Sequence, residues 1–149
     1  MARGYPDFFG MPIFPSYGPA QLEDSGALVL AHGDTTDLVN IIGKGKTYGG
    51  ELWFDGGGTI FVNTEIIVTI DGIVSSQESP EWHFENGLDL DPNRIDRLVR
   101  LGYNTAGNKY CTYDFGKDYT FGQSLIVQLH NLSGANLTAQ CWFRWARVI

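Results

Sequence analysis

The chain has 149 residues with a formal net charge of −7, and 43% of its residues are hydrophobic while 18% are charged. This length suits one domain, which can bury a hydrophobic core without the help of a metal or a disulfide. The negative charge argues against nucleic acid as a partner, because affinity for phosphates comes from Lys and Arg. No apolar stretch approaches the roughly 18 residues that cross a bilayer, so a membrane partner is not expected either.

Aromatic residues and prolines alternate in residues 1–20, which show neither helical nor strand periodicity. Proline removes backbone donors and disfavours helix immediately before itself, so this segment is predicted to be an extended arm preceding a domain at 21–149. Burying an aromatic side chain gains on the order of 1.5–3 kcal/mol, so the arm is expected to lie on its own sheet or on a neighbouring subunit. The predicted interface residues of the arm are Tyr5, Phe8, Phe9, Phe14 and Tyr17.

Short apolar runs separated by glycine-rich turns follow the arm. Strict alternation in Glu65–Asp71 is typical of a strand with unlike faces, and Asp71-Gly72 is a two-residue hairpin signal. The glycines at 56–58 favour a chain reversal. The strands predicted up to this hairpin are Ala27–Ala31, Leu38–Ile42, Gly50–Phe54, Thr59–Val62, Glu65–Asp71 and Ile73–Gln77. Of these, Thr59–Val62 is expected to pair back on the preceding strand, Gly50–Phe54.

Residues 78–110 allow more than one interpretation. Trp82–Phe84 is predicted to be a short strand, whereas residues 92–103 fit a helix capped at Asp91 and an alternating strand equally well. Asp89, Asp91 and Asn93 place oxygen atoms at alternate positions, as a calcium loop does. The EF-hand pattern fails beyond them, so a looser calcium site and a solvated acidic turn both stay open.

The last third of the chain alternates clearly between apolar and polar residues. It predicts strands at Lys109–Phe115, Ser124–His130 and Leu137–Val148, with Leu125, Val127 and Leu129 facing the core. The total is about eight to ten short strands without long helices. The predicted fold is therefore an all-β antiparallel sandwich of jelly-roll type, with a closed barrel as the alternative.

No catalytic, cofactor or metal site is predicted, and the chain is interpreted as a non-enzyme. The three histidines lie on separate segments, without the clustered ligands that a cupin-type metalloenzyme would need. Cys111 and Cys141 fall within predicted strands, where free buried thiols are expected, although a bridge between them stays open. The many carboxylates show no spacing that would pair two of them as a glycosidase acid and base.

Two tryptophans, Trp53 and Trp142, fall on strand faces opposite the aliphatic ones. Three interpretations stay open for such outward aromatic side chains. They can form a second hydrophobic layer under the arm or a loop, take part in a subunit interface, or stack on sugar rings. Both residues join the predicted interface set.

The pattern resembles jelly-roll virion proteins of tailed phages and similar viruses, such as capsid decoration or appendage subunits. The resemblance is carried by the arm at 1–20, by Glu65–Gly72 with its Ile-Asp-Gly end, and by the closing segments 121–131 and Leu137–Ile149. It implies a non-enzymatic subunit, assembled into a virion in the host cytoplasm, that binds its own copies and other virion proteins. A homo-oligomer is implied, with a trimer favoured. The alternative function is a carbohydrate- or receptor-binding β-sandwich module.

Overall fold

The computed structural model describes residues 16–86, 96–116 and 118–149, which form eleven strands and two short helices. None of the helices in these ranges is long and apolar enough to cross a membrane. The elements in chain order are β1 (Gln21–Asp24), β2 (Leu28–Leu30), β3 (Thr35–Ile42), β4 (Gly45–Gly56), α1 (Ile60–Asn63), β5 (Thr64–Ile70), β6 (Ile73–Glu78), α2 (Pro80–Asn86), β7 (Arg97–Tyr103), β8 (Lys109–Asp114), β9 (Tyr119–Phe121), β10 (Ser124–Asn131) and β11 (Leu137–Arg147).

The strands form two antiparallel sheets. The large sheet has the order β1-β11-β4-β8-β7, with β2 also on β11 and β9 also on β4, and the small sheet has the order β3-β10-β5-β6. The successive strands β2, β3, β4 and β5 alternate between the two sheets. The sheet orders β2-β11-β4-β8 and β3-β10-β5-β6 are those of a jelly roll. The predicted antiparallel sandwich is confirmed, and the closed barrel is excluded because both sheets have open edges within the described part of the chain.

The core lies between the inner faces of the two sheets, as two-residue alternation requires. Leu125, Val127 and Leu129 of β10 are all buried, which confirms the predicted inner face of that strand. From the large sheet, Phe143 packs against Phe115 with 4.9 Å between ring centroids. The burial of these inner faces therefore follows from the two-residue alternation in the sequence.

The predicted return strand at Thr59–Val62 is wrong, because this segment contains helix α1. Both long edges of β4 are already occupied, by β11 on one side and by β8 and β9 on the other, so no edge is left for a hairpin partner. Instead the carbonyl of Thr59 accepts hydrogen bonds from the backbone N–H groups of Val62 and Asn63. The side chain of Ile60 is buried in the core.

The predicted short strand at Trp82–Phe84 is also wrong, because these residues lie in helix α2. Ser79 caps the helix, its Oγ accepting the backbone N–H of Trp82 at 3.2 Å. Pro80 follows at the first helical position, where a missing N–H costs nothing. This Ser-Pro pair is a helix-start signal that the sequence carries.

The ambiguity at 92–103 is settled in favour of a strand for the part of it that is described. Residues 97–103 form β7, which pairs with β8 from Arg97 opposite Asp114 to Tyr103 opposite Lys109. The proposed calcium ligands Asp89, Asp91 and Asn93 lie outside the described residues.

The predicted Asp71-Gly72 turn is confirmed, and Asp71 also connects two loops. Both residues have positive φ, 54° and 81°, as the tight turn between β5 and β6 requires. The Asp71 carboxylate accepts the backbone N–H groups of Gly122, Gln123 and Ser124 at 2.6–3.1 Å. The hydrogen bond from Gly122, supported by those from Gln123 and Ser124, lowers the pKa of Asp71 below its usual value.

Both cysteines are free and buried, so the disulfide that the sequence left open is not formed. Cys111 on β8 and Cys141 on β11 pair with Phe54 and Leu52 of β4, which lies between their strands. Burial raises the pKa of both thiols well above the usual value, and the negative charge of Asp24 adds to this effect at Cys141. Neither thiol is therefore poised to act as a nucleophile at neutral pH.

Candidate functional site

The outer face of the large sheet carries the two tryptophans that the sequence singled out. Trp53 on β4 lies between Gln140 of β11 and Thr112 of β8. Trp142 on β11 lies next to Glu51. Both side chains are half-buried, while residues 52 and 54 on the inner face are fully buried. The prediction that these tryptophans face away from the core is confirmed.

An open groove of about 500 Å³ runs over this outer face, beside the turn between β7 and β8. Its lining combines three aromatic rings with hydroxyl, amide and carboxylate groups, as small-molecule sites in proteins commonly do. The lining residues are Trp53, Asp55, Tyr103, Asn104, Thr105, Tyr110 and Thr112.

The polar end of the groove is held rigid by Asn104. Its side-chain oxygen accepts the backbone N–H groups of Ala106 and Asn108, each at 3.0 Å, which fixes the turn between β7 and β8. Its side-chain nitrogen donates to Oδ2 of Asp55 at 3.2 Å. The carboxylate of Asp55 is thus aligned before any ligand arrives, which lowers the ordering cost of binding.

The aromatic rings of the groove are also braced by their neighbours. Tyr110 pairs with Gly102 across β7 and β8, and a side chain at Gly102 would meet the Tyr110 ring at 3.2–3.4 Å. The Tyr110 ring therefore packs directly over the glycine backbone. Tyr103 is an exposed residue, yet its ring contacts Phe61 of α1 edge-on, with 6.3 Å between centroids.

Of the other predicted interface residues, the two that the structure describes, Tyr17 and Trp142, do not line this groove. Of the arm residues, Tyr17 is described, and it forms a β-bridge with Val148. Next to this bridge, the Gly18 N–H donates to the Arg147 carbonyl and the Ile149 N–H donates to the Ser16 carbonyl. Residues 16–18 therefore lie along the end of β11. The remaining arm residues, Tyr5, Phe8, Phe9 and Phe14, lie outside the described residues.

Sequence reasoning identified Trp53 but missed the tyrosines and Asn104 beside it. The available signal was the alternation of Lys109–Phe115, which puts Tyr110 and Thr112 on the face opposite Cys111. Only the pairing of β4 with β8, which the sequence does not reveal, places Thr112 directly beside Trp53.

Comparisons with known proteins do not assign the chain to a family. No protein-family model and no curated protein matches it. Among solved structures it is similar to the catalytic domain of a GH87 alpha-1,3-glucanase, a D1068A variant in complex with tetrasaccharides. The TM-score is 0.36 and the identity is 10% over 91% of this chain. The chain spans only 29% of that protein's length.

Proposed function

We propose that this chain is a non-enzymatic binding module whose groove takes a neutral carbohydrate. The observation that supports the proposal most directly is the groove itself, where three aromatic rings stand beside the aligned Asp55 and Asn104. A sugar ring has an apolar C–H face that stacks on aromatic rings and a rim of hydroxyls that pair with carboxylates and amides. Lectins are among the proteins that use jelly-roll sandwiches.

The charges of the groove and of the chain favour a neutral ligand. Asp55 is the one carboxylate among the described residues that line the groove, and a cation beside this lining is the Arg100 guanidinium, which lies over the Tyr110 ring at 5.7 Å from its centroid. Together with the net charge of −7, the Asp55 carboxylate disfavours phosphate and other anionic groups.

Binding without hydrolysis fits the same lining. Glycoside hydrolysis ordinarily uses two carboxyl groups about 5–10 Å apart across the scissile bond. Of the described groove residues, Asp55 alone supplies a carboxyl group, and Asn104 holds it by a hydrogen bond. We therefore infer recognition of the sugar and no cleavage of it.

Replacing Trp53 by alanine should weaken glycan binding by at least about tenfold, because it removes the stacking platform at the centre of the groove. A glycan array that covers neutral and acidic sugars should give hits among the neutral ones, and titration calorimetry with the best hit should measure the loss. Trp142→Ala is the matched control, since Trp142 lies on the same face outside the groove and should leave the affinity unchanged.

Two outcomes would overturn the carbohydrate proposal. One is an array without hits for the wild-type chain at high protein concentration. The other is an equal loss of affinity in Trp53→Ala and Trp142→Ala, which would point to general damage of the sheet instead of a site.

A second candidate function is a virion structural subunit that binds neighbouring copies, as the sequence resemblance implies. The observation that favours it is the apolar character of the open sheet edges. Ile73 and Val74 on β6 are 72% and 52% exposed, and Val99 on β7 is 58% exposed. Unpaired strands with exposed apolar side chains are natural sites for association.

Deleting residues 2–15 should convert a homo-oligomer, with a trimer favoured, into a folded monomer. This deletion removes four of the predicted interface aromatics and leaves the bridge between Tyr17 and Val148 in place. Native mass spectrometry and light scattering would measure both states, and circular dichroism would verify the fold. A full-length chain that is monomeric at high micromolar concentration would rule out self-assembly through the arm.

A further inference from the structure

Three metal-ligating side chains converge where the chain crosses from the small sheet to the large one. Glu78 ends β6, His83 lies on α2 and Asp96 immediately precedes β7. Nε2 of His83 is 3.5 Å from Oε2 of Glu78 and 3.5 Å from Oδ2 of Asp96. One ligand atom from each residue lies within 4.8 Å of the others.

The two distances from the histidine are compatible with a shared metal ion. Good N–H···O hydrogen bonds span about 2.7–3.2 Å, so both 3.5 Å distances are long. Ligand atoms bound at about 2.0–2.2 Å around a tetrahedral ion lie roughly 3.4 Å apart. Nε2 of His83 lies 3.5 Å from each of the two carboxylate oxygens, which is close to this separation.

The surroundings of the three ligands orient them in the way that metal sites require. Nδ1 of His83 lies 2.6 Å from the hydroxyl of Tyr113, and Nε2 faces the two carboxylates. The Ser76 hydroxyl donates to Oδ2 of Asp96 at 3.1 Å, and the Gln77 backbone N–H donates to Oε2 of Glu78 at 3.0 Å. Such supporting hydrogen bonds fix ligand orientation in known metal centres.

The site is buried on the core side and opens at one ligand. The side chains of His83 and Asp96 are essentially inaccessible, whereas that of Glu78 is 26% exposed. Glu78 thus lies on the solvent-exposed side of the cluster.

We propose that Glu78, His83 and Asp96 bind a divalent transition-metal ion that ties the two sheets together at this crossover. One imidazole with two carboxylates suits Zn²⁺ or a similar ion, whereas Ca²⁺ prefers a shell made entirely of oxygen atoms. The proposal is independent of the groove. It departs from the sequence prediction of no metal site, which rested on the wide separation of the three histidines along the chain.

Adding Zn²⁺ to chelator-treated protein should raise the midpoint of thermal unfolding by about 5–10 °C when the free Zn²⁺ concentration is about a hundred times Kd. Titration calorimetry should give one site per chain. Glu78→Gln should weaken Zn²⁺ binding at least about tenfold, with the metal-free midpoint of the same variant as the reference for its Zn²⁺-dependent shift. Asp96→Asn tests the buried ligand, with circular dichroism to verify folding.

Glu65→Gln is the matched control. Glu65 also pairs with a histidine, with 3.1 Å between its Oε1 and Nδ1 of His130, but the structure shows no metal-sized cluster among the described residues there. Zn²⁺ binding should survive in this variant. The proposal is overturned if wild-type protein shows no Zn²⁺-dependent shift, if Glu78→Gln binds Zn²⁺ like wild type, or if Ca²⁺ gives the larger shift.

Discussion

Replacing Asn131 by alanine should lower the free energy of unfolding by about 3–5 kcal/mol. Asn131 ends β10 and is fully buried. Its side-chain nitrogen donates to the carbonyls of Leu30 and Ala135 at 3.0 and 2.8 Å. Its side-chain oxygen accepts the N–H and the hydroxyl of Ser133 at 3.0 and 2.6 Å.

The effect is large because the substitution would leave buried partners of the Asn131 side chain without a hydrogen bond. Each buried polar group left without a hydrogen bond costs about 1–3 kcal/mol. The alanine variant would remove the partner of the Leu30 carbonyl in β2 and of the Ser133 N–H in the turn before β11. Equilibrium urea unfolding, followed by tryptophan fluorescence, would measure the loss. Asn136→Ala is the control, because Asn136 lies in the same turn but is exposed, and it should change stability by less than about 0.5 kcal/mol. Equal effects of the two variants would refute this account of the turn.

Replacing Phe54 by alanine should cost about 3–5 kcal/mol, through lost burial and the cavity that remains. Phe54 is fully buried on the inner face of β4, with its ring stacked on that of Tyr113 at 6.4 Å between centroids. The strands on both sides of β4 keep its backbone in place, so the cavity cannot collapse by moving the strand.

The same unfolding measurement tests the Phe54 prediction. Phe84→Ala is the matched control, because Phe84 on α2 is 71% exposed and should contribute little to stability. A Phe54→Ala variant that loses less than about 1 kcal/mol would show that the core between the sheets is loosely packed.

The architecture followed from the sequence because alternation is a local signal with a direct physical cause. Residues of β5, β10 and β11 alternate over most of their length, so their inner faces and strand character are predictable. The two helices were missed because each is one or two turns long, too short for helical periodicity to show. Ser79-Pro80, at the start of α2, is the signal in the sequence that indicates a helix.

The candidate sites depend on strand pairing, which short-range patterns do not encode. Trp53 and Tyr110 are 57 residues apart in sequence, yet they line one groove because β4 pairs with β8. Likewise, Glu78, His83 and Asp96 meet because one crossover joins an edge strand of each sheet. His83 looked isolated in the sequence since its neighbours in space are carboxylates and not further histidines.

The burial of Asn131 has a consequence for how this protein is produced. Asn131-Leu132-Ser133 and Asn136-Leu137-Thr138 both match the acceptor pattern for N-linked glycans. An oligosaccharide on the Asn131 nitrogen would occupy the position of its two carbonyl contacts, so a chain modified there before folding could not close this turn. Asn136 is exposed and can carry the same modification without loss of the fold. A host without N-glycosylation avoids this conflict.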